Sequence, residues 1–151
     1  MRTLALLLLV ALVLAGCGGS SKGKIVVSTT STVQDPTVEK EQITTAYEKF
    51  FSGSTSLSER VGVLQNGAQF RPVIKAFASN PLAKNVSVKV SSVTLQGADK
   101  AKVAYQVKFA GSSLPKQTGT AVRQGGKWKV GFASLCKLVS LGGSTPSACK
   151  S

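Results

Sequence analysis

The chain has 151 residues, and its 19 basic and 6 acidic side chains give a formal net charge of +13 without any histidine. This length suits one ordinary domain with its own core and excludes an array of several domains. The lack of histidine excludes histidine-based acid–base chemistry and histidine metal sites, while the positive charge favours anionic partners.

A short apolar run follows the first basic residue, Arg2. Residues 3–15 are almost wholly apolar. The run is too short for a membrane-spanning helix of ~20 residues, but it fits the apolar region of a secretory signal peptide. It ends in Leu14-Ala15-Gly16-Cys17, which resembles the lipobox of bacterial lipoproteins. An ordinary signal peptide with a chance cysteine is the alternative interpretation.

The lipobox resemblance implies how the chain is processed and where it resides. Cleavage would occur between Gly16 and Cys17, and a diacylglycerol on Cys17 would anchor the protein to the extracytoplasmic face of the bacterial cell membrane. Residues 1–16 would be the lipoprotein signal peptide, residues 17–35 a flexible Gly/Ser/Thr-rich tether, and residues 36–151 the single domain.

Three helices are predicted after the tether. Asp35-Pro36 is typical of a helix start, with Asp35 as the cap, and this helix ends at Gly53. A capping box over Ser56–Glu59 begins the second helix. The third helix ends at Asn80-Pro81 and has an apolar stripe at helical spacing. The members of that stripe are Phe70, Val73, Ile74 and Phe77.

After Pro81 the apolar period changes from 3.6 to 2, which predicts antiparallel strands. The alternation along residues 86–95 shifts at Ser91-Ser92 and therefore predicts a β-bulge that bends this strand. Residues 103–109 and 116–123 predict two further strands. Gly125-Gly126 predicts a hairpin turn. The last strand is predicted to continue through Trp128, Val130 and Phe132.

Helices followed by antiparallel strands indicate an α+β fold. We expect three N-terminal helices packed on a curved antiparallel sheet of about four strands. This order of elements, with a bulge in the sheet, resembles the nuclear transport factor 2-like fold, in which helices and a bent sheet form a cone.

The C-terminal third carries a more specific resemblance. Three segments resemble the actinobacterial low-molecular-weight secreted antigen family, which includes lipoproteins: Gly125-Gly126-Lys127-Trp128-Lys129-Val130, Ala133-Ser134-Leu135-Cys136 and Pro146-Ser147-Ala148-Cys149. Gly67-Ala68-Gln69-Phe70 and Asn80-Pro81-Leu82 add to this likeness. The resemblance covers Pro36 to Cys149 and implies an exported domain without an assigned catalytic activity.

Two cysteines remain once Cys17 is lipidated. An even pair in an exported chain predicts a disulfide between Cys136 and Cys149. In the chain-entropy model this short loop would contribute about 3 kcal/mol. Two thiolates without a histidine make a poor metal cage, so we expect neither a metal nor a cofactor.

The sequence favours a non-catalytic binding or accessory domain at the cell envelope. As an alternative, the cone could carry a small apolar ligand. Six aromatic residues would line that site: Phe50, Phe70, Phe77, Tyr105, Trp128 and Phe132. The simpler interpretation is that these aromatic side chains fill the core.

An enzyme of isomerase or dehydratase type is the other alternative, since similar cones use a buried carboxylate or histidine together with a tyrosine. The acidic residues are predicted at a cap, on helix surfaces, in the capping box and in a turn: Asp35, Glu39, Glu41, Glu48, Glu59 and Asp99. General acid–base catalysis needs a tuned group inside a pocket, so we expect no catalysis. A carboxylate buried beside Tyr105 would revive it.

Five lysines are predicted on the sheet face that points away from the helices: Lys89, Lys102, Lys108, Lys127 and Lys129. Such a face would attract anionic phospholipid headgroups or cell-wall polymers. Nucleic acid is not expected as a partner of an exported protein, and no protein partner follows from the sequence. The alternative is a charged surface that confers only solubility.

The anchor is tested by mass. Protein isolated from its own host should begin at Cys17 and carry at least two acyl chains, because one chain anchors only marginally. A Cys17→Ser variant should carry no lipid and should be extracted from the membrane fraction by a high-salt wash, which leaves a lipid anchor in place. Intact-mass spectrometry and cell fractionation measure both. A native chain that keeps residues 1–16, or an unmodified Cys17, would contradict the anchor.

Overall fold

The computed structural model describes residues 35–141, 143 and 145–150. These ranges belong to the unit Val33–Ser151. The signal peptide predicted over residues 1–16, Cys17 and the tether up to residue 34 lie outside the described residues. A protein that begins at residue 18 therefore keeps the whole described core. No helix within the described ranges combines the length and apolarity that crossing a bilayer requires.

The three predicted N-terminal helices are confirmed. They are α1 (Pro36–Phe51), α2 (Leu57–Val63) and α3 (Arg71–Ser79). The carboxylate of Asp35 caps α1 by accepting the backbone N–H of Thr37 at 2.7 Å. Ser56 and Glu59 form the predicted capping box of α2. Each cap satisfies backbone donors that the first helical turn leaves free.

A short 3-10 turn, Pro81–Asn85, leads into an antiparallel sheet. Its strands are β1 (Val86–Leu95), β2 (Lys100–Phe109), β3 (Ser112–Ser113), β4 (Gln117–Gln124) and β5 (Lys127–Val130). The spatial order is β1-β2-β4-β5, and the two-residue β3 pairs with β2. The α+β fold and the sheet of about four strands are confirmed.

The predicted bulge is confirmed in β1. Val90 pairs with Tyr105 and Ser92 pairs with Ala104, so Ser91 is the extra residue. The hydroxyl of Ser91 donates to the carbonyl oxygen of Ala104 at 3.0 Å. A bulge bends its strand and increases the local twist, which curves the sheet around the helices.

The core lies between α1 and the sheet. Tyr47 and Phe51 of α1 are fully buried, as is Val103 of β2. The ring of Tyr105 lies 5.3 Å from that of Tyr47 and 5.7 Å from that of Phe51, measured between centroids. Full burial of a large apolar side chain contributes about 1.5–3 kcal/mol, so this cluster stabilises the packing of α1 on the sheet.

The strand predicted through Phe132 is wrong at its end. β5 stops at Val130, and Phe132 begins a fourth helix, α4 (Phe132–Leu141), which the sequence analysis did not predict. The N–H of Gly131 donates to the carbonyl oxygen of Thr120 at 2.7 Å, and the chain then leaves the sheet. A Cβ at Gly131 would lie 2.2 Å from Thr120 Oγ1, so this close approach requires glycine.

The predicted disulfide between Cys136 and Cys149 is present. It joins α4 to a 3-10 turn, Ser147–Cys149, and the two Cα atoms lie 5.6 Å apart. This separation is ordinary for a disulfide. The bond fixes the C-terminal segment against the last helix.

A closed set of hydrogen bonds, which we call the Thr120 junction, joins α1, β4 and α4. Tyr47 Oη donates to the carbonyl oxygen of Thr120 at 2.7 Å and lies 3.1 Å from Ser134 Oγ. The N–H of Thr120 donates to Ser134 Oγ at 3.2 Å. The Ser134 hydroxyl is then free to donate to Tyr47 Oη, so each polar group of the junction has a partner.

Gly119 is packed against this junction and provides a test of it. A Cβ at this position would lie 2.4 Å from Ser134 Oγ and 2.6 Å from Tyr47 Oη. A Gly119→Ala substitution must displace both hydroxyls, so we expect the free energy of unfolding to fall by about 1–3 kcal/mol. Chemical denaturation measures this change.

The matched control is Gly62→Ala in α2. Outside its own helix, no atom of the described residues would lie within 4 Å of a Cβ there, and glycine costs a helix about 0.5–1 kcal/mol relative to alanine. The control should therefore raise the free energy of unfolding. An unchanged or increased stability of Gly119→Ala would contradict the packing of the junction.

Candidate functional site

Lysines cover the sheet face opposite the helices. On β2, Ala101, Val103, Tyr105 and Val107 are buried, and the residues between them point the other way. The cross-strand register places lysines of β1 and β5 on that same side. We define the lysine face by six residues: Lys89, Lys100, Lys102, Lys108, Lys127 and Lys129. It comprises the five predicted lysines and Lys100, and all six are exposed except the half-buried Lys129.

The excess of basic over acidic side chains lies mainly in the C-terminal half of the domain. Residues 86–150 contain ten basic side chains and one acidic side chain, whereas residues 35–85 contain six basic and five acidic side chains. The two ion pairs among the described residues both use carboxylates of the helical half. Neither pair includes a residue of the lysine face, so no carboxylate of the described residues neutralises its charges.

The aromatic residues predicted to line a cavity occupy several places. Phe50, Phe70 and Tyr105 are at most 4% exposed and belong to the core. Phe132 is half-buried and stacks on Phe70, with 5.4 Å between ring centroids. These four side chains therefore contribute to packing, whereas Trp128 and Phe77 border two different surface grooves.

The two grooves differ in character. Trp128 borders one of about 480 Å³ between α1 and the β4–β5 hairpin, together with Val38 and with Lys127, which follows the hairpin turn at the edge of the lysine face. The indole N–H of Trp128 is buried and has no acceptor among the described residues. Phe77 borders an apolar groove of about 580 Å³ between α3 and α4, together with Leu138.

Both tyrosines of the chain lie in the core. An enzyme of isomerase or dehydratase type would need a carboxylate or a histidine beside one of them. Burial raises the pKa of Tyr47 above its ordinary value, and burial also raises the pKa of Tyr105. Both phenols are therefore protonated at neutral pH. Among the described residues no carboxylate is hydrogen-bonded to either phenol. The hydroxyl of Tyr47 is engaged in the Thr120 junction instead.

The prediction that Glu39 lies on a helix surface is wrong. Glu39 is 8% exposed and pairs with Arg123 of β4. Arg123 Nε also donates to the carbonyl oxygen of Ala98 at 3.0 Å, and its guanidinium lies 4.6 Å from the ring centroid of Trp128. The side of α1 that carries Glu39 faces the β4–β5 hairpin, which supplies the opposite charge. This buried carboxylate is therefore held by a guanidinium.

Sequence reasoning missed Arg60, which is 2% exposed. Its guanidinium donates to the carbonyl oxygens of Phe50, Ser52 and Thr55 at 3.2, 2.6 and 3.1 Å. Burial lowers the pKa of Arg60. The signal was available, because Arg60 occupies the i+3 position of the apolar stripe of α2 that starts at Leu57. Its role is to hold the turn between α1 and α2.

The exposed groups of the domain determine what chemistry it can perform at its surface. In the part of the chain that the structure describes, no cluster of three His, Cys, Asp or Glu side chains is arranged to hold a metal ion. Ammonium groups on flexible stems dominate the lysine face. Such groups bind anions through charge and rotatable N–H donors.

Comparison with known proteins identifies related sequences. The sequence profile of the family described as "Low molecular weight antigen MTB12, C-terminal domain" matches residues 34–146. A search of curated protein sequences found no match. Among solved structures, one from Campylobacter jejuni named as an NTF2-like transpeptidase is similar, with a TM-score of 0.41 and 12% identity. That match covers 60% of this chain and 94% of the other.

The buried tyrosines predict an alkaline limit of stability. Tyrosine in an unfolded chain ionises near pH 10, whereas the folded chain retains both protons to higher pH. The folded state therefore binds more protons above about pH 10, and the free energy of unfolding falls as the pH rises further. The chain contains two tyrosines in total, so tyrosinate absorbance reports on these side chains only.

Tyrosinate absorbance should rise together with the loss of circular dichroism. Tyr47→Phe should make the free energy of unfolding less dependent on pH above about pH 10, because one linked ionisation is removed. Ionisation of both tyrosines near pH 10 in a chain that is still folded would contradict their burial.

Proposed function

This chain belongs to the low molecular weight antigen MTB12 family, and on that premise we propose that it is a lipoprotein of the cell envelope with a non-catalytic binding domain. Its anchor is a diacylglycerol on Cys17, on the extracytoplasmic side of the membrane. Its partner is the anionic headgroup layer of that membrane, and its binding surface is the lysine face.

The division of charge is the observation that carries this proposal. Six lysines share one sheet face, and none of them is paired with a carboxylate of the described residues. A basic residue near an anionic membrane contributes about 1 kcal/mol, as estimated for cytoplasmic leaflets. The helical half, with nearly balanced charges, offers no comparable attraction.

The anchor and the lysine face support each other. The apolar run and Leu14-Ala15-Gly16-Cys17 favour attachment of the chain to a membrane. Attachment converts binding of the face into an intramolecular event with a high effective concentration. Weak individual lysine contacts then suffice to hold the domain against the headgroups.

Binding without catalysis is supported by the state of the buried polar groups. Glu39 is engaged by Arg123, and Tyr47 is engaged by the backbone of Thr120 and by Ser134. A general acid or base needs a pKa near the working pH and access to a substrate. The raised pKa of Tyr47 moves that group away from this range.

Charge removal from the lysine face tests the proposal. A protein that begins at residue 18 carries no lipid, so its binding to vesicles reports on the domain alone. Lys89, Lys108 and Lys127 are all exposed. Replacing the three by Gln should weaken binding to phosphatidylglycerol vesicles on the order of a hundredfold at low salt. Vesicle cosedimentation over a salt series measures the change.

The matched control replaces three exposed lysines of the helical half, Lys40, Lys75 and Lys84, by Gln. It removes the same charge and should weaken binding far less. An equal loss of vesicle binding in both variants would show that only the net charge matters, and it would contradict binding through the lysine face. Equal binding to neutral vesicles would contradict the electrostatic basis, and tighter binding to an anionic cell-wall polymer would assign the face to that partner instead.

A further inference from the structure

A cleft of about 280 Å³ lies where the lysine face meets the start of α4. Lys102 of β2 pairs across the sheet with Thr120 of β4, and Ala104 pairs with Thr118, so Lys102 and the two threonines point to the same side. Lys137 and Ser134 of α4, and Gln96, which follows β1, complete the polar lining. One wall is therefore sheet and the other is helix.

The cleft exists because β5 is shorter than β4. The register of the hairpin ends with Ala121 paired to Val130, and the chain then turns into α4. The residues of β4 before Ala121 thus have β2 on one side and α4 on the other. The Thr120 junction fixes the bottom of this gap, because Ser134 of α4 bonds the backbone of Thr120.

Apart from Ser134, which belongs to the Thr120 junction, the polar side chains that line the cleft have no partners among the described residues. Lys102, Lys137, Thr118 and Thr120 are exposed. In the described part of the chain, neither lysine has an ion pair, and no hydrogen bond involves the side chains of Gln96 or the two threonines. No carboxylate of the described residues lines the cleft. Two lysines, two threonines and one glutamine without partners of their own therefore line one concave space.

We propose that this cleft binds a terminal phosphoryl group. Such a group carries a charge of about −1.5 to −2 and three acceptor oxygens. Two ammonium groups match the charge, and the hydroxyl and amide donors match the oxygens. The proposal rests in part on the function proposed above, because Lys102 belongs both to the cleft and to the lysine face. A phosphomonoester lipid headgroup and a soluble phosphate share this chemistry.

The test uses proteins that begin at residue 18. The cleft variant is Lys102→Gln with Lys137→Gln, and the control is Lys89→Gln with Lys108→Gln, which removes the same charge from the lysine face. Vesicles contain phosphatidic acid or phosphatidylglycerol and are adjusted to equal zeta potential. We expect the unsubstituted protein to prefer phosphatidic acid at least tenfold. The cleft variant should lose this preference. The control should bind both kinds of vesicle more weakly but should keep the preference for phosphatidic acid.

Inorganic phosphate is the probe for binding of a soluble phosphate. In the unsubstituted protein and the control, it should shift the backbone amide resonances of Thr118, Thr120 and Lys137, and the cleft variant should show no saturable shift. Phosphate-induced shifts without any preference for phosphatidic acid would support the cleft as a site for a soluble phosphate. The same shifts without vesicle binding would support the cleft and overturn the membrane function.

Two results would overturn the proposal. One is an equal preference for phosphatidic acid in the cleft variant and the control. The other is the absence of both the lipid preference and the phosphate shifts while all proteins still bind anionic vesicles; in that case the membrane function would stand and the cleft would not. Circular dichroism of each variant verifies that it is folded.

Discussion

The backbone of Thr120 is the point at which three distant parts of the chain are held together. Its carbonyl oxygen accepts from Tyr47 of α1 and from the N–H of Gly131, and its N–H donates to Ser134 of α4. Without these partners, β4 would present unpaired backbone groups beyond the end of β5, and each such group costs about 1–3 kcal/mol when it is buried. The junction therefore determines where α4 lies. The Phe70–Phe132 stack, the disulfide and the cleft beside the lysine face all depend on that position.

A sheet with one covered face leads directly to the distribution of charge. Alternate residues of each strand point to opposite sides, so the residues between the buried ones of β2 must point to solvent. The acidic side chains are concentrated in the helical half, whereas the strands carry lysines. The fold thus converts a net charge spread along the sequence into one basic surface. A surface of this kind acts through charge, and its interactions weaken as salt screens them.

The buried charges have a different role, since they order the connections around the core. Arg123 joins Glu39 of α1 to the β4–β5 hairpin and lies over Trp128. Arg60 binds three carbonyl oxygens around the end of α1, where the helix dipole favours a cation. Burying such groups is costly and contributes little net stability. Their fixed geometry instead specifies how the helices and the hairpin are placed against each other.

The sequence by itself determined the three N-terminal helices, the bulge at Ser91, the antiparallel strands and the pairing of Cys136 with Cys149, because caps, periodicity and cysteine number are local properties. It did not determine whether Phe132 belongs to a strand or to a helix. Phe132 continues the alternation of Trp128 and Val130 and also fits the helical spacing of Leu135. Only the close approach of Gly131 to Thr120 decides between the two. The burial of Glu39 and Arg60 and the placement of Lys102 and Lys137 along one cleft likewise depend on contacts between residues far apart in the chain, which no local pattern records.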